Sequence, residues 1–169
     1  MSTATDLLVD AFGRVRENVH AAVQGLTEDQ LALRPDEQAN SIAWLVWHLT
    51  RVQDSHVAEV AERNQVWHAD GWADRFGLPF DAGATGYGQS SDEVGAVRAS
   101  ADLLADYHDA THAQTVAYLG SLTDEDLAAV VDERWDPPVT LAVRLVSVVD
   151  DDTQHVGQAA YVRGLFADP

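Results

Sequence analysis

Three aspartates in a row interrupt an apolar segment near the C-terminus of the chain. Asp150, Asp151 and Asp152 lie in RLVSVVDDDTQHVGQAAY, which is otherwise rich in valine, leucine and alanine. If this segment is a helix, Asp151 and His155 lie one turn apart on a face that points partly inward. A divalent metal ion bound by both side chains would offset the cost of burying the charge. The alternative is a helix whose aspartates face water, with His155 as a partly buried histidine.

A third candidate ligand is His48, in the strongly apolar turn WLVWHL. A lone histidine in such a turn is more often a core residue that is hydrogen-bonded to a carbonyl group. However, a helix over this segment can pack beside the C-terminal helix in a bundle, so that His48 could meet Asp151 and His155. The three residues then form a candidate metal site with one position open.

Three further residues are expected to support this site or its pocket. Arg144 and Gln158 share a helical face with the carboxylate–histidine pair, and Trp44 lies one turn before His48. Residues around metal ligands commonly orient them through hydrogen bonds. The sequence therefore predicts that Trp44, Arg144 and Gln158 contact the ligands or line the substrate pocket.

A rival metal pair is His108 and His112, which also have helical i, i+4 spacing. Their neighbours in YHDATHAQ are more polar, which favours a solvated helix face. The remaining histidines are assigned no role: His20, His56 and His68. The segment TRVQD is interpreted as carrying a surface ion pair between Arg51 and Asp54, and the alternative is a partly buried pair that borders the cavity.

Composition excludes several kinds of chemistry. The 169 residues include no cysteine, and all ten basic residues are arginine. Disulfides, cysteine nucleophiles and Schiff-base lysines are therefore excluded. The formal charge of -18 would repel phosphate backbones and anionic membrane surfaces, so neither nucleic acid nor a membrane is an expected partner. With no signal-peptide pattern and no apolar run of membrane-spanning length, we expect a cytoplasmic protein.

Helical periodicity and capping residues predict how these side chains are positioned. Apolar residues at helical spacing predict four long helices, near residues 3–25, 41–64, 100–120 and 138–166. Thr27 and Thr123 each begin a short capped element between long helices. Between residues 65 and 99 the periodicity fails, and its glycines and aromatic residues favour a packed loop that could cover a cavity. We therefore expect an all-α four-helix bundle in a single domain over 1–169, with a long loop between helices 2 and 3.

These segments resemble a known family. NSIAWLVWHLTRVQD, HADGWADRFGLP with TGYG, and WDPPVTLAVRLVSVVDDDTQHVGQAAYVRGL are similar to the DinB-like metal-binding four-helix bundles. Within these, the chain most resembles the mycothiol S-transferase branch, whose relatives include the N-terminal domain of mycothiol-dependent maleylpyruvate isomerase. The resemblance covers residues 5–166, and its most specific parts are WHL and the D-x-x-x-H-x-G-Q segment.

The resemblance implies a site and an activity. Its zinc ligands, a histidine from the second helix and an acid–x3–histidine pair from the fourth, correspond to His48, Asp151 and His155. It implies a detoxification enzyme that uses zinc, or another divalent metal, and takes mycothiol as its thiol cosubstrate. A metal-bound thiolate would attack an electrophilic small molecule, with Trp44, Trp47 and the loop at 65–88 as walls for it. The alternative is a non-catalytic metal-binding or ligand-sensing bundle. The electrophile, the native metal, the thiol and a homodimeric state are left open.

Overall fold

Four long helices form the body of the protein, as described by a computed structural model over residues 3–166. Residues 1, 2 and 167–169 of the predicted domain lie outside the described residues. The elements in chain order are α1 (Thr3–Val23), α2 (Glu28–Leu31), α3 (Ile42–Val60), α4 (Val66–Ala69), α5 (Trp72–Phe76), α6 (Ser91–Gly95), α7 (Ala101–Leu119), α8 (Asp124–Ala128), β1 (Val130–Asp132), β2 (Val139–Thr140) and α9 (Leu141–Phe166). The predicted all-α four-helix bundle is confirmed, with α1, α3, α7 and α9 as its long helices.

Capping residues fix where the helices begin. The Ser41 side chain accepts a hydrogen bond from the Trp44 amide and so caps α3, and Ser100 caps α7 in the same way. Thr27 and Thr123 form capping boxes at α2 and α8. These caps satisfy amide groups that a helix leaves unpaired at its first turn. The capping boxes predicted from the sequence are therefore confirmed.

The packing order brings α3 beside α9. Both α1 and α3 pack against α7 and α9. Since His48 approaches His155 while His56 approaches Arg144, α3 and α9 run antiparallel. One apolar cluster lies beneath the segment between α3 and α7, and a second lies at the other end of the bundle around Phe12.

Two local expectations differ from the structure. The segment at 65–99, expected to be a packed loop, contains the three short helices α4, α5 and α6. These helices have only four or five residues each, too few to show a periodic apolar stripe. The fourth long helix begins at Leu141 rather than at 138, because Val139 and Thr140 instead form a two-stranded antiparallel ribbon with β1.

No helix within residues 3–166 combines the length and the apolar character that crossing a bilayer requires.

Candidate metal centre

His48 from α3 and Asp151 and His155 from α9 converge between the two helices. One potential ligand atom from each lies within 4.8 Å of the others, and the described part of the chain holds no second such group of three. The Asp151 Oδ1 and His155 Nε2 atoms are 3.6 Å apart. Ligands bound tetrahedrally at about 2.0–2.2 Å are separated by roughly 3.3–3.6 Å. Small side-chain movements would therefore bring all three around one ion.

The ring of His48 is held on two sides. Its Nδ1 is 2.5 Å from the carbonyl oxygen of Thr85, so that nitrogen carries the donated proton and Nε2 is left as the ligand atom. Trp44 stacks on the ring with centroids 4.5 Å apart and an angle of 16° between the planes. The indole Nε1 of Trp44 in turn donates to Gln89. The segment between α3 and α7 thus orients a candidate ligand from α3.

His155 is oriented within its own helix. Its Nδ1 lies 3.2 Å from the side-chain oxygen of Gln158, one turn further along α9. This contact leaves Nε2 on the side of Asp151. Gln158 therefore touches the candidate ligand that the sequence associated it with.

The electrostatics of the three groups fit a cation between them. Hydrogen bonding between His155 and Asp151 raises the pKa of His155 and lowers that of Asp151. Burial lowers the pKa of His48, which favours the neutral imidazole that a metal binds. The second carboxylate oxygen of Asp151 is buried and has no hydrogen-bond partner among the described residues. Two imidazoles and a carboxylate with an unpaired oxygen are a donor set that suits zinc.

Arg144 lies away from the ligands. It borders a cavity of about 240 Å³ that extends from Asp151 along the groove between α3 and α9. Its guanidinium donates to Glu59 at 2.7 Å and to Asp132 at 3.4 Å, and one nitrogen lies 3.3 Å from His56. Arg144 therefore lines a pocket that adjoins the site, and its hydrogen bonds go to groups other than the three ligands.

The interpretation of Arg51 and Asp54 as a surface pair is wrong. Both side chains are almost fully buried and lie 3.8 Å apart. Asp54 accepts hydrogen bonds from the amides of Val66 and Trp67, at the start of α4. The carboxylate is needed inside because it satisfies two donors of a buried helix N-terminus. Those donors lie 12 and 13 residues further along the chain, so the helical spacing of the pair gave no sign of them.

Arg51, the ion-pair partner of Asp54, also contacts the segment that supports the candidate site. Its Nε donates to the carbonyl of Ala84, which directly precedes the residue that holds His48. The indole of Trp47 is buried against Trp67 and Phe80. Trp47 thus packs beneath the segment between α3 and α7 (residues 61–100, hereafter the covering segment), whereas Trp44 contacts the candidate ligand His48.

The expectation that this turn of α7 forms a solvated helix face is wrong for His108. His108 is fully buried, and its Nδ1 lies 3.1 Å from the Thr50 hydroxyl. Within the described residues it joins no group of three potential ligands.

The three aspartates of α9 differ from one another in their surroundings. Asp150 is exposed and accepts a hydrogen bond from Gln154, Asp151 is at the candidate site, and Asp152 is fully buried. Polar neighbours on a helix therefore did not reveal which individual side chain faces the core.

His108 predicts a measurable acid sensitivity. Burial lowers its pKa from 6.5 to about 3, so the folded protein resists a proton that the unfolded chain binds. The stabilisation is present above about pH 6.5 and is lost as the pH falls from there towards 3. Between pH 6 and 4, the free energy of unfolding measured with urea should fall less steeply in His108→Gln than in the wild type. The two slopes should differ by up to about 1.4 kcal/mol per pH unit. Equal slopes would contradict this.

A substitution at Gly86 would test how the covering segment orients His48. A Cβ at Gly86 would lie 2.5 Å from the Nδ1 atom of His48 and 3.1 Å from Trp44. Gly86→Ala should therefore displace the Thr85 carbonyl from the ring and weaken metal binding about 10–100-fold, as loss of a supporting hydrogen bond does. Gly88→Ala is the matched control, since this glycine also has a positive φ but meets nothing within 4 Å. Equal metal affinity in the two variants, measured by chelator competition, would argue against this role.

Both the sequence and the fold of the chain are similar to those of known proteins. The sequence profile of the Mycothiol-S-transferase family matches residues 7–168. None of the curated proteins matches the chain. A crystal structure described as the conserved protein of locus from Enterococcus faecalis is 32% identical and superposes with a TM-score of 0.91, over 98% of this chain and 97% of that one.

Proposed function

The chain belongs to the mycothiol-S-transferase family, and from this membership we propose that it is a metal-dependent enzyme that joins mycothiol to electrophilic small molecules. The observation that carries the proposal is the convergence of His48, Asp151 and His155. In the reaction, the thiol sulfur forms a bond to an electrophilic carbon and the thiol proton is released. Where the electrophile has a leaving group, that group departs with the electron pair of its bond; where the thiol instead adds to a double bond or opens a ring, the anion that forms takes up a proton.

We propose that the three ligands hold zinc or another divalent ion. Three protein ligands with one further position is the arrangement of catalytic zinc sites. Such an ion lowers the pKa of a bound thiol from about 8.5, so that the nucleophilic thiolate prevails at neutral pH. The chain has no cysteine of its own, which is consistent with a thiol supplied by a cosubstrate.

The residues around the ligands have separate tasks in this proposal. Thr85 and Gln158 accept hydrogen bonds from the imidazoles of His48 and His155, so that each ring presents Nε2 to the ion. Asp151 supplies the one negative charge among the three ligands, and this charge stabilises a cation bound between them. These contacts hold the ligands in place before the cosubstrate arrives, which reduces the reorganisation needed for reaction.

Trp44 supplies an aromatic wall for the electrophile. Its ring stacks on His48 and meets His155 edge-on, with centroids 6.3 Å apart. An apolar electrophile resting against this indole would lie next to the ligands and hence next to the sulfur. Holding the two reactants in contact accelerates a bimolecular step.

A thiol panel tests the proposal. Metal-loaded protein is incubated with a model electrophile and with mycothiol, bacillithiol or glutathione in turn, and the S-conjugate is quantified by mass spectrometry. We expect turnover with mycothiol that disappears when a chelator removes the metal. Conjugate formation no faster than in buffer with every thiol would contradict an enzyme and favour a metal-binding or ligand-sensing bundle.

A further inference from the structure

The groove between α3 and α9 continues beyond the candidate ligands into a second, polar region. The cavity of about 240 Å³ is bounded at one end by Asp151 and is lined further on by Val52, Val148, His56, Arg144 and Ser147. On α9, Asp151 and Arg144 are seven residues apart, which corresponds to about 10 Å along the helix. A ligand with one atom at the metal could therefore place its far end beside Arg144 and His56.

The charges at this far end are already balanced. Arg144 is paired with Glu59 and Asp132, and Asp132 also binds Arg134. The four groups comprise two cations and two anions, so an anionic ligand finds no unpaired cation here. A neutral ligand needs no unpaired cation and could hydrogen-bond to the guanidinium of Arg144 and to the other polar groups that line the cavity.

The remaining polar lining points the same way. Burial lowers the pKa of His56, so its ring is neutral at neutral pH. Its Nδ1 faces the guanidinium of Arg144, which can only donate, so the Nε2–H group remains as a donor for a ligand. Ser147 is exposed at the rim, and its hydroxyl donates to the Val143 carbonyl, which leaves the oxygen as an acceptor. Val52 and Val148 form an apolar floor on which the carbon face of a sugar-like ring can rest. A few polar groups around an apolar surface are typical of small-molecule pockets.

We propose that this cavity, hereafter the polyol subsite, binds the hydroxyl-rich end of the thiol cosubstrate. This inference rests on the proposed function and adds where the cosubstrate lies. Mycothiol carries its thiol on a cysteine joined to a neutral pseudodisaccharide of glucosamine and inositol. With the sulfur at the ligand triad, the pseudodisaccharide extends along the groove towards Arg144 and His56. The subsite then selects a neutral polyol thiol over glutathione, because the carboxylates of glutathione would find the lining cation, Arg144, already paired with Glu59 and Asp132.

A cavity-filling substitution tests the polyol subsite without removing an ion pair. Ser147→Phe places a large side chain at the rim of the cavity. Val146→Phe is the matched control, since Val146 is exposed on the neighbouring position and does not line the cavity. Arg144→Met is a second variant that leaves Asp132 paired with Arg134.

The first measurement is binding of N-acetylglucosaminyl-inositol, a neutral, thiol-free form of the pseudodisaccharide, in a titration monitored by nuclear magnetic resonance. We expect the wild type and Val146→Phe to bind it alike, and Ser147→Phe and Arg144→Met to bind it at least tenfold more weakly. No binding to the wild type, or equal binding to Ser147→Phe and Val146→Phe, would overturn the polyol subsite. This readout needs neither metal nor turnover, so binding without any thiol transfer would support the subsite and contradict only the proposed function.

The second measurement compares mycothiol with N-acetylcysteine, which lacks the pseudodisaccharide. In Ser147→Phe, kcat/KM should fall at least tenfold more for mycothiol than for N-acetylcysteine, chiefly through KM. An equal fall with both thiols would place the damage at the ligands and overturn the proposal.

Discussion

Replacement of His155 by alanine should abolish both metal binding and thiol transfer. The variant keeps only two of the three candidate ligands, His48 and Asp151, and Asp151 loses its ion-pair partner. Two ligands do not enclose a catalytic zinc ion, so we expect the metal affinity to fall by more than about 100-fold. Elemental analysis of the purified protein and the S-conjugation assay should show the two losses together.

The controls for this substitution separate the candidate site from its rival. His68→Ala removes an exposed histidine of α4 and should keep wild-type metal content and turnover. Full metal content in His155→Ala, with losses in His108→Ala and His112→Ala, would instead assign the site to the rival pair.

Some of this site could be predicted because its spacing is local. Asp151 and His155 lie one helical turn apart, and a helix fixes their common face whatever it packs against. His48 is about a hundred positions away, and only the packing of α3 on α9 brings it close. For that ligand, the family resemblance was needed to favour it over an ordinary core histidine.

The parts that escaped prediction depend on partners distant in the sequence. Arg51 and Asp54 look like a surface pair by spacing, but the guanidinium of Arg51 lies over the ring of Trp67 and Asp54 accepts a hydrogen bond from the hydroxyl of Tyr107. Thr85 holds His48 from a segment without helical periodicity, so nothing local marked it as a supporting residue. Its signal was the glycine that follows, since Gly86 allows the backbone to approach the ring closely.

Burial of single polar side chains within helices was equally hidden. Asp152 is fully buried although Asp150, two residues earlier, is exposed. A run of like residues contains every helical direction within a few positions, so its charge alone does not say which member faces the core. Only the assembled bundle distinguishes the three aspartates.

Asp54→Ala should be among the most destabilising single substitutions in the protein. Asp54 accepts hydrogen bonds from the amides of Val66 and Trp67 and from the hydroxyl of Tyr107, at 2.9–3.0 Å. Its removal leaves these donors unsatisfied and leaves the buried guanidinium of Arg51 without its carboxylate. Breaking a buried pair in this way costs about 3–5 kcal/mol. Urea denaturation should show this loss in the free energy of unfolding.

The same substitution should loosen the cover of the candidate site. Arg51 also donates to the carbonyl of Ala84, next to the residue that accepts from His48. A displaced Arg51 would weaken this hold, so we expect faster hydrogen exchange at residues 66–67 and 84–86 and weaker metal binding. Asp106→Ala, at an exposed position of α7, is the control and should change stability by less than about 0.5 kcal/mol. If Asp54→Ala were no more destabilising than this control, the buried pair would not anchor the segment that covers the ligands.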